Sequence, residues 1–296
     1  MGLFGAVAAY MTMNPQQRKL LLAKRVEGDY SPDAWLRLLD GPSRFDTHAD
    51  RLRRFSGILF FLSLVPTIIG LINLLSTGQA DLWPLLLIGG GLMLTFGALW
   101  LVTRKMDLSN RLRHFLLPLI SLLGDDLKKG RPLHLKADLS RCMIKSKQTG
   151  KRDPYDKHPY KNIVETFYQD PWLHWQAVLA DGAQLQLDIQ ENVTVRRRTK
   201  KTPRGKHKIK TKKKAKNQVT VRLRLPADRY RFLGVQRQGN IRIQVKQPEG
   251  GKWLTLQARR TVAGTPEEPE LRPVLDLITG LYKGVERIPA GESGNG

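Results

Sequence analysis

Cysteine is nearly absent from this chain, which contains only one, Cys142, among 296 residues. A single cysteine excludes a disulfide framework within the chain and any zinc or iron–sulfur site built from several cysteines. The six histidines are scattered without metal-ligand spacing, so the sequence predicts no metal site and no other cofactor. Acidic residues are also few, 26 Asp and Glu against 50 Lys and Arg, which gives a formal net charge of +24.

Recognisable catalytic motifs are missing as well, because the chain has no Gly-rich phosphate loop and no nucleophile elbow. We expect the charge of Arg141 to lower the pKa of Cys142. His174 alternates with apolar residues, and we expect a surface or packed histidine rather than a base. Two prolines predict a loop at Asp153–Tyr160, a candidate rim for a small-ligand site. The sequence assigns no catalytic residue and leaves enzymatic activity undecided, with a non-enzymatic role favoured.

Charge is almost missing from residues 55–103, which contain no Lys, Arg, Glu or His and one Asp, Asp81. Two charge-free runs, 55–75 and 82–103, are each long enough for a helix across a hydrocarbon core of about 30 Å. The linker 76–81 is short, so the two helices are predicted to form a transmembrane hairpin. Several glycines in the second helix favour close packing, either within the hairpin or in a homo-oligomer.

The distribution of Lys and Arg predicts the orientation of this hairpin. Residues 1–54 carry nine of the 50 Lys and Arg residues, the linker carries none, and the other 41 follow residue 103. Because positive charge accumulates on the cytoplasmic side, we expect both termini there. The sequence thus predicts an integral membrane protein of the bacterial inner membrane.

Two segments flank the predicted hairpin. Residues 1–54 are expected to form a cytoplasmic segment with short amphipathic helices. In this segment Asn14-Pro15-Gln16-Gln17 is typical of a helix start, and Gly41-Pro42 is expected to end a second helix. Residues 104–130 are predicted to form an interfacial or linker helix.

In the C-terminal half the period of the apolar residues changes to two, which is typical of strands. About eight such runs lie between residues 132 and 262, and Asp181-Gly182 is a strong hairpin signal. A helix is expected near Arg272–Lys283, followed by a disordered tail at 290–296. The predicted fold is a membrane-anchored α+β protein, with the hairpin followed by a basic cytoplasmic domain at 131–289. This domain is expected to be an antiparallel β-sandwich or small β-barrel with a terminal helix.

The most unusual segment, Arg196–Lys216, holds 13 Lys and Arg in 21 residues and no acid. It is predicted to form an extended hairpin arm and to bind polyanions, since dense positive charge attracts phosphates without reading bases. The alternative is a solvated charge run without a ligand. The candidate residues are Arg196, Arg197, Arg198, Lys200, Lys201, Arg204, Lys206, Lys208, Lys210, Lys212, Lys213, Lys214 and Lys216.

Three functions follow from this reading. The favoured one is a scaffold or adaptor whose basic domain docks on anionic phospholipid or an acidic protein surface, because a tethered domain lies close to a negative membrane. The second is a sensor that binds a nucleotide or other phosphate ligand; its layout is similar to that of bacterial membrane effectors with two helices and a β-barrel. The third is a membrane protein that binds nucleic acid, although the basic run contains no aromatic residue for base stacking.

The topology can be tested directly. Reporter fusions at residue 296 and within the 76–81 linker should report a cytoplasmic C-terminus and an external linker. An external C-terminus would contradict the orientation inferred from the Lys and Arg distribution.

Overall fold

The computed structural model describes residues 2–77, 83–158, 160–201, 206–234, 242–246 and 252–289. The chain divides into two compact units. The first contains residues 1–23 and 37–108, and the second contains residues 24–36 and 109–296. The predicted disordered tail lies outside the described residues.

The first unit is helical. It contains α1 (Gly2–Thr12), α2 (Pro15–Ala23), α3 (Pro32–Thr77) from Arg37 onward, and α4 (Trp83–Lys105). Helices α3 and α4 are long and apolar enough to cross a membrane, and large apolar side chains are exposed along both. The two predicted apolar runs fall on these helices, while residues 78–81 of the predicted linker lie outside the described part.

The helix start predicted at Asn14 is confirmed. Asn14 Oδ1 accepts the N–H of Gln17 at 2.8 Å, and Gln17 Oε1 accepts the N–H of Asn14 at 3.0 Å. This reciprocal pair satisfies two N–H groups that the first turn of α2 leaves open.

The helix end predicted at Gly41-Pro42 is wrong, because α3 continues through both residues. Pro42 removes one backbone donor from the helix. At this turn the Gln17 amide donates to the carbonyl of Arg37 at 2.9 Å. A Cβ on Gly41 would lie 2.9 Å from Gln17 Nε2, so glycine makes room for this amide. Gln17, distant in sequence, thus contacts α3 in the turn that precedes Pro42.

Two glycines allow α3 and α4 to approach closely. A Cβ at Gly70 would lie 2.8 Å from the backbone nitrogen of Leu86, and one at Gly89 would lie 2.8 Å from that of Thr67. Small residues at helix contacts are typical of packing in lipid.

The second unit is built on an eight-stranded antiparallel sheet in the order β1-β2-β4-β5-β6-β9-β8, with β3 also paired to β4. The strands are β1 (Arg25–Tyr30), β2 (Leu133–Asp138), β3 (Gln148–Lys157), β4 (Tyr160–Val178), β5 (Gln184–Lys201), β6 (His207–Pro226), β8 (Arg242–Lys246) and β9 (Trp253–Gly264). A two-stranded ribbon joins β7 (Tyr230–Phe232) to β10 (Val285–Arg287).

Helices cover one face of this sheet. A π-helical turn (Leu112–Leu116) leads into α5 (Leu117–Gly124), and the Phe115 ring lies 5.4 Å from that of Trp172 on β4. Helix α6 (Arg272–Lys283), at the predicted position, packs beside β6 and β9. The first and last strands of the described sheet do not pair with each other, so a closed barrel is not shown. The helices form the second layer, against the face of the sheet that they cover.

The segment predicted as an interfacial or linker helix, 104–130, belongs to the second unit from Ser109 onward. Leu122 is 53% exposed, but most other apolar side chains of this segment, among them Leu112, Leu116 and Leu119, are buried. These residues are part of the core of the second unit.

Two strands of the eight-stranded sheet were not predicted, nor was the short ribbon of β7 and β10. Strand β1 contains Gly28 and polar residues, and it forms by pairing with β2 rather than from its own propensity. Strand β3 includes Pro154, within the segment predicted to be a loop. Proline is tolerated there because β3 pairs only with β4 and so lies at an edge.

Candidate functional site

Three strands of unusual length extend one end of the sheet. β4, β5 and β6 have 19, 18 and 20 residues, whereas strands usually have three to ten. β9 pairs with β6 only from Ala215 onward, so residues 207–214 of β6 lie beyond its end. We define the arm as residues 193–201 of β5 and 207–215 of β6; residues 202–205 between them lie outside the described residues.

The register of the arm concentrates its charge on one face. Arg196 lies opposite Lys212, Arg198 opposite Lys210, and Lys200 opposite Lys208. Directly paired residues project to the same side, and alternate residues along a strand share a face. We call this side the basic face. It consists of Arg196, Arg198, Lys200, Lys208, Lys210, Lys212, Lys214 and, one residue beyond the arm, Lys216.

The other predicted residues are elsewhere. Arg197 and Lys213 are exposed on the opposite face of the arm. Lys201 is the last residue of β5, Lys206 precedes β6, and Arg204 lies outside the described residues. The structure thus places eight of the 13 predicted residues on one face.

Little negative charge offsets the basic face. Glu165 on β4 lies opposite Arg196 and accepts a hydrogen bond from its Nε–H at 2.5 Å. Burial would raise the pKa of Glu165, but the hydrogen bond and charge of Arg196 outweigh it and lower that pKa. Among the described residues, no carboxylate forms an ion pair with the basic-face lysines of β6. The face therefore retains a strong positive charge.

Aromatic rings from β4 lie beside this charge. The guanidinium carbon of Arg198 is 3.9 Å from the ring centroid of Tyr160. Phe167 lies opposite Thr194, which places it on the basic face, and its side chain is 36% exposed. The sequence did not indicate these rings, because neither residue belongs to the basic run. Only the pairing of β4 with β5 brings them to the arm.

A buried ion network lies at the base of the arm. Asp170 on β4 and Glu191 on β5 are directly opposed, and Arg111 donates hydrogen bonds to both, to Asp170 Oδ2 at 2.7 Å. Lys147 Nζ lies 2.9 Å from Asp170 Oδ1. The Arg111 guanidinium also lies 4.9 Å from the ring centroid of Trp172. Burial would lower the pKa of Arg111, but the two carboxylates raise it, so the guanidinium stays charged.

Two acidic groups in the described residues could hold a cation by distance alone: Cys142 with Asp170 and Glu191, and Asp46 with Asp50 and Asp107. In the first, Arg111 already bonds both carboxylates. In the second, Arg53 pairs with Asp50 at 2.9 Å and with Asp107. An arginine thus supplies the positive charge in each group.

The lowered pKa expected for Cys142 is wrong. The thiol is fully buried in a cluster with Val193 and Ala215. Burial, together with the charges of Glu191 and Asp170, raises its pKa to about 12. Cys142 is therefore a packing residue at the base of the arm and not a nucleophile.

Comparisons with known protein families, curated proteins and solved structures found no match to this chain.

The burial of Cys142 predicts its reactivity. Because the thiol is inaccessible and protonated, iodoacetamide at pH 8 should leave the folded full-length protein unmodified. The same protein in guanidinium chloride should gain one adduct, since the chain has one cysteine. Mass spectrometry measures both. Rapid alkylation of the folded protein would contradict this packing.

Proposed function

We propose that this protein is a membrane-anchored docking protein whose basic face binds anionic lipid headgroups. The observation that carries the proposal is the register of the arm. Three like-charged pairs lie directly opposite each other in it, and such pairs destabilise a sheet. A ligand that neutralises the charges of these pairs would explain why the chain keeps an arrangement that opposes folding.

The geometry of the face suits an extended anionic surface. Strands lie about 4.8 Å apart and alternate side chains about 6.6 Å apart, so the charges form a regularly spaced grid. From Lys208 to Lys216 this grid extends over roughly 26 Å. It offers many weak contacts rather than one enclosed site, which is the mode expected for a headgroup layer.

The two apolar helices also support lipid docking. If α3 and α4 cross a membrane, the basic face is tethered to lipid and encounters headgroups at high effective concentration. Each Lys or Arg near an anionic leaflet contributes about 1 kcal/mol. Eight such residues support firm but salt-sensitive docking.

The sensor alternative receives less support. It requires a ligand cavity inside the β domain, whereas the neighbouring core residues Trp175, Leu187 and Val221 are completely buried against one another. These three side chains leave no cavity between them, and the clefts among the described residues of this unit open at its surface, such as the one lined by Arg25, Lys136 and Trp172. This favours contact through the surface over an enclosed ligand site.

Lipid docking should be specific to one face. We compare Lys210→Gln/Lys212→Gln, on the basic face, with Arg197→Gln/Lys213→Gln, on the opposite face. All four side chains are exposed, and both variants lose two charges. At about 1 kcal/mol per residue, the first variant should bind about 30-fold more weakly. The second should change binding by much less.

The measurement is cosedimentation of full-length protein, held in neutral-lipid nanodiscs, with phosphatidylserine liposomes. Binding of the unmodified protein should fall steeply between 0.1 M and 1 M salt, as the Debye length shortens from about 10 Å to about 3 Å. Equal losses in the two variants would reject a face-specific docking surface.

Nucleic acid is the second candidate, and the exposed Phe167 and the ring of Tyr160 favour it. Bases stack on such rings, with roughly 1–3 kcal/mol per base. If single-stranded DNA or RNA is the ligand, Phe167→Ser should weaken its binding by at least fivefold and leave liposome binding unchanged. Unchanged binding of single strands by this variant would remove the observation that supports this candidate.

A further inference from the structure

A row of four side chains crosses β1, β2, β4 and β5 on the side of the sheet that carries the basic face. The row is Asp29, His134, His174 and Asp188. Asp29 lies opposite His134, and His174 lies opposite Asp188. The two histidines are diagonal neighbours on β2 and β4, because His134 pairs with Gln176 and Lys136 pairs with His174. The two imidazoles thus occupy the inner strands, and the two carboxylates occupy the outer ones.

Each carboxylate lies within hydrogen-bond distance of one imidazole. His134 Nδ1 lies 3.0 Å from Asp29 Oδ1, and His174 Nδ1 lies 2.5 Å from Asp188 Oδ1. Asp188 is itself held, because the Gln186 amide donates to its other oxygen at 2.9 Å. A neutral imidazole that donates from Nδ1 keeps the lone pair on Nε2. In the described part of the chain, no residue bonds either Nε2 atom.

The separation of the two rings is close to the one that a shared ion requires. Their centroids are 6.0 Å apart and their planes are inclined by 70°. With zinc–nitrogen bonds of about 2.0 Å, two imidazoles on one tetrahedral ion have centroids roughly 5 Å apart. The two ring centroids would have to approach by about 1 Å for both rings to bind one ion. Small χ rotations of these partly exposed side chains allow such a movement.

The arrangement of carboxylates is the second observation that points to a metal. Histidines that bind metals almost always donate their other ring N–H to a carboxylate, a carbonyl or water. Here both histidines do so. Because each aspartate engages the Nδ1 atom of its histidine, the Nε2 atom on the other side of each ring is left for another ligand. The neighbouring Lys136 does not oppose a cation strongly, because Glu27 pairs with it at 2.8 Å.

We propose that His134 and His174 bind a divalent transition-metal ion, with Zn²⁺ as the best fit, through their Nε2 atoms. Asp29 and Asp188 orient the two rings, and water completes the coordination. Nitrogen ligands of this kind select zinc, copper or nickel over magnesium or calcium. The site is separate from the arm and does not depend on its proposed function.

The test is calorimetric titration of Zn²⁺ into the full-length protein in detergent. We expect one binding event per chain that weakens at least tenfold in His174→Gln and in His134→Gln. The matched control is His114→Gln, an exposed histidine of the π-helical turn, which should bind Zn²⁺ as the unmodified protein does. Asp188→Asn keeps both rings and should bind about 10- to 100-fold more weakly. Circular dichroism verifies that each variant is folded.

The outcomes separate clearly. Loss in the two histidine variants and in Asp188→Asn supports the site. Absence of binding by the unmodified protein would overturn it, as would unchanged binding by the histidine variants, which indicates an adventitious ion elsewhere. Loss in the histidine variants with unchanged affinity in Asp188→Asn would contradict the orienting role given to the carboxylates.

Discussion

The buried guanidinium of Arg111 is the interaction on which the C-terminal unit depends. It bonds Asp170 and Glu191, which lie directly opposite each other on β4 and β5. Without a cation between them, two carboxylates buried at this distance would repel strongly. Removing one partner of such a buried pair typically costs 3–5 kcal/mol, because a charge is left uncompensated. The register of β4 and β5 at the base of the arm is therefore tied to Arg111.

This register determines which side chains lie on each face of the arm. Strand β5 runs without a break from Glu191 into the basic run, so Arg196, Arg198 and Lys200 share one face. A shift by one residue would turn these side chains to the other side. The buried network and the exposed charge are thus linked through the strand. The arrangement that neutralises charge in the interior also fixes a face where charge accumulates.

Much of the architecture could be predicted from the sequence. Period-two apolar residues indicated most strands, and the helix over Arg272–Lys283 and the two long apolar helices followed from local patterns. The prediction failed where tertiary contacts override local signals. Helix α3 continues through Pro42, next to the turn that Gln17 contacts, and edge pairing allows a proline in β3.

The candidate site was predictable only in part. Charge density identified the run Arg196–Lys216, but a one-dimensional pattern does not say which residues face each other. The rings of Tyr160 and Phe167 reach the arm through the pairing of β4 with β5. His134 and His174 are 40 positions apart in the sequence. They become neighbours because β2 pairs directly with β4, although β3 lies between these strands along the chain. Spacing alone does not reveal such pairs.

If α3 and α4 anchor the protein in a membrane, docking of the arm on that membrane can be measured directly. Because Cys142 is buried, a cysteine introduced by Thr211→Cys, exposed on the opposite face, can be labelled selectively with a fluorescent donor. Energy transfer to acceptor-labelled headgroups is then measured for full-length protein in neutral and in anionic liposomes. Docking predicts higher transfer in anionic liposomes at 0.1 M salt, falling to the neutral value at about 1 M. Equal transfer in both membranes at every salt concentration would contradict it.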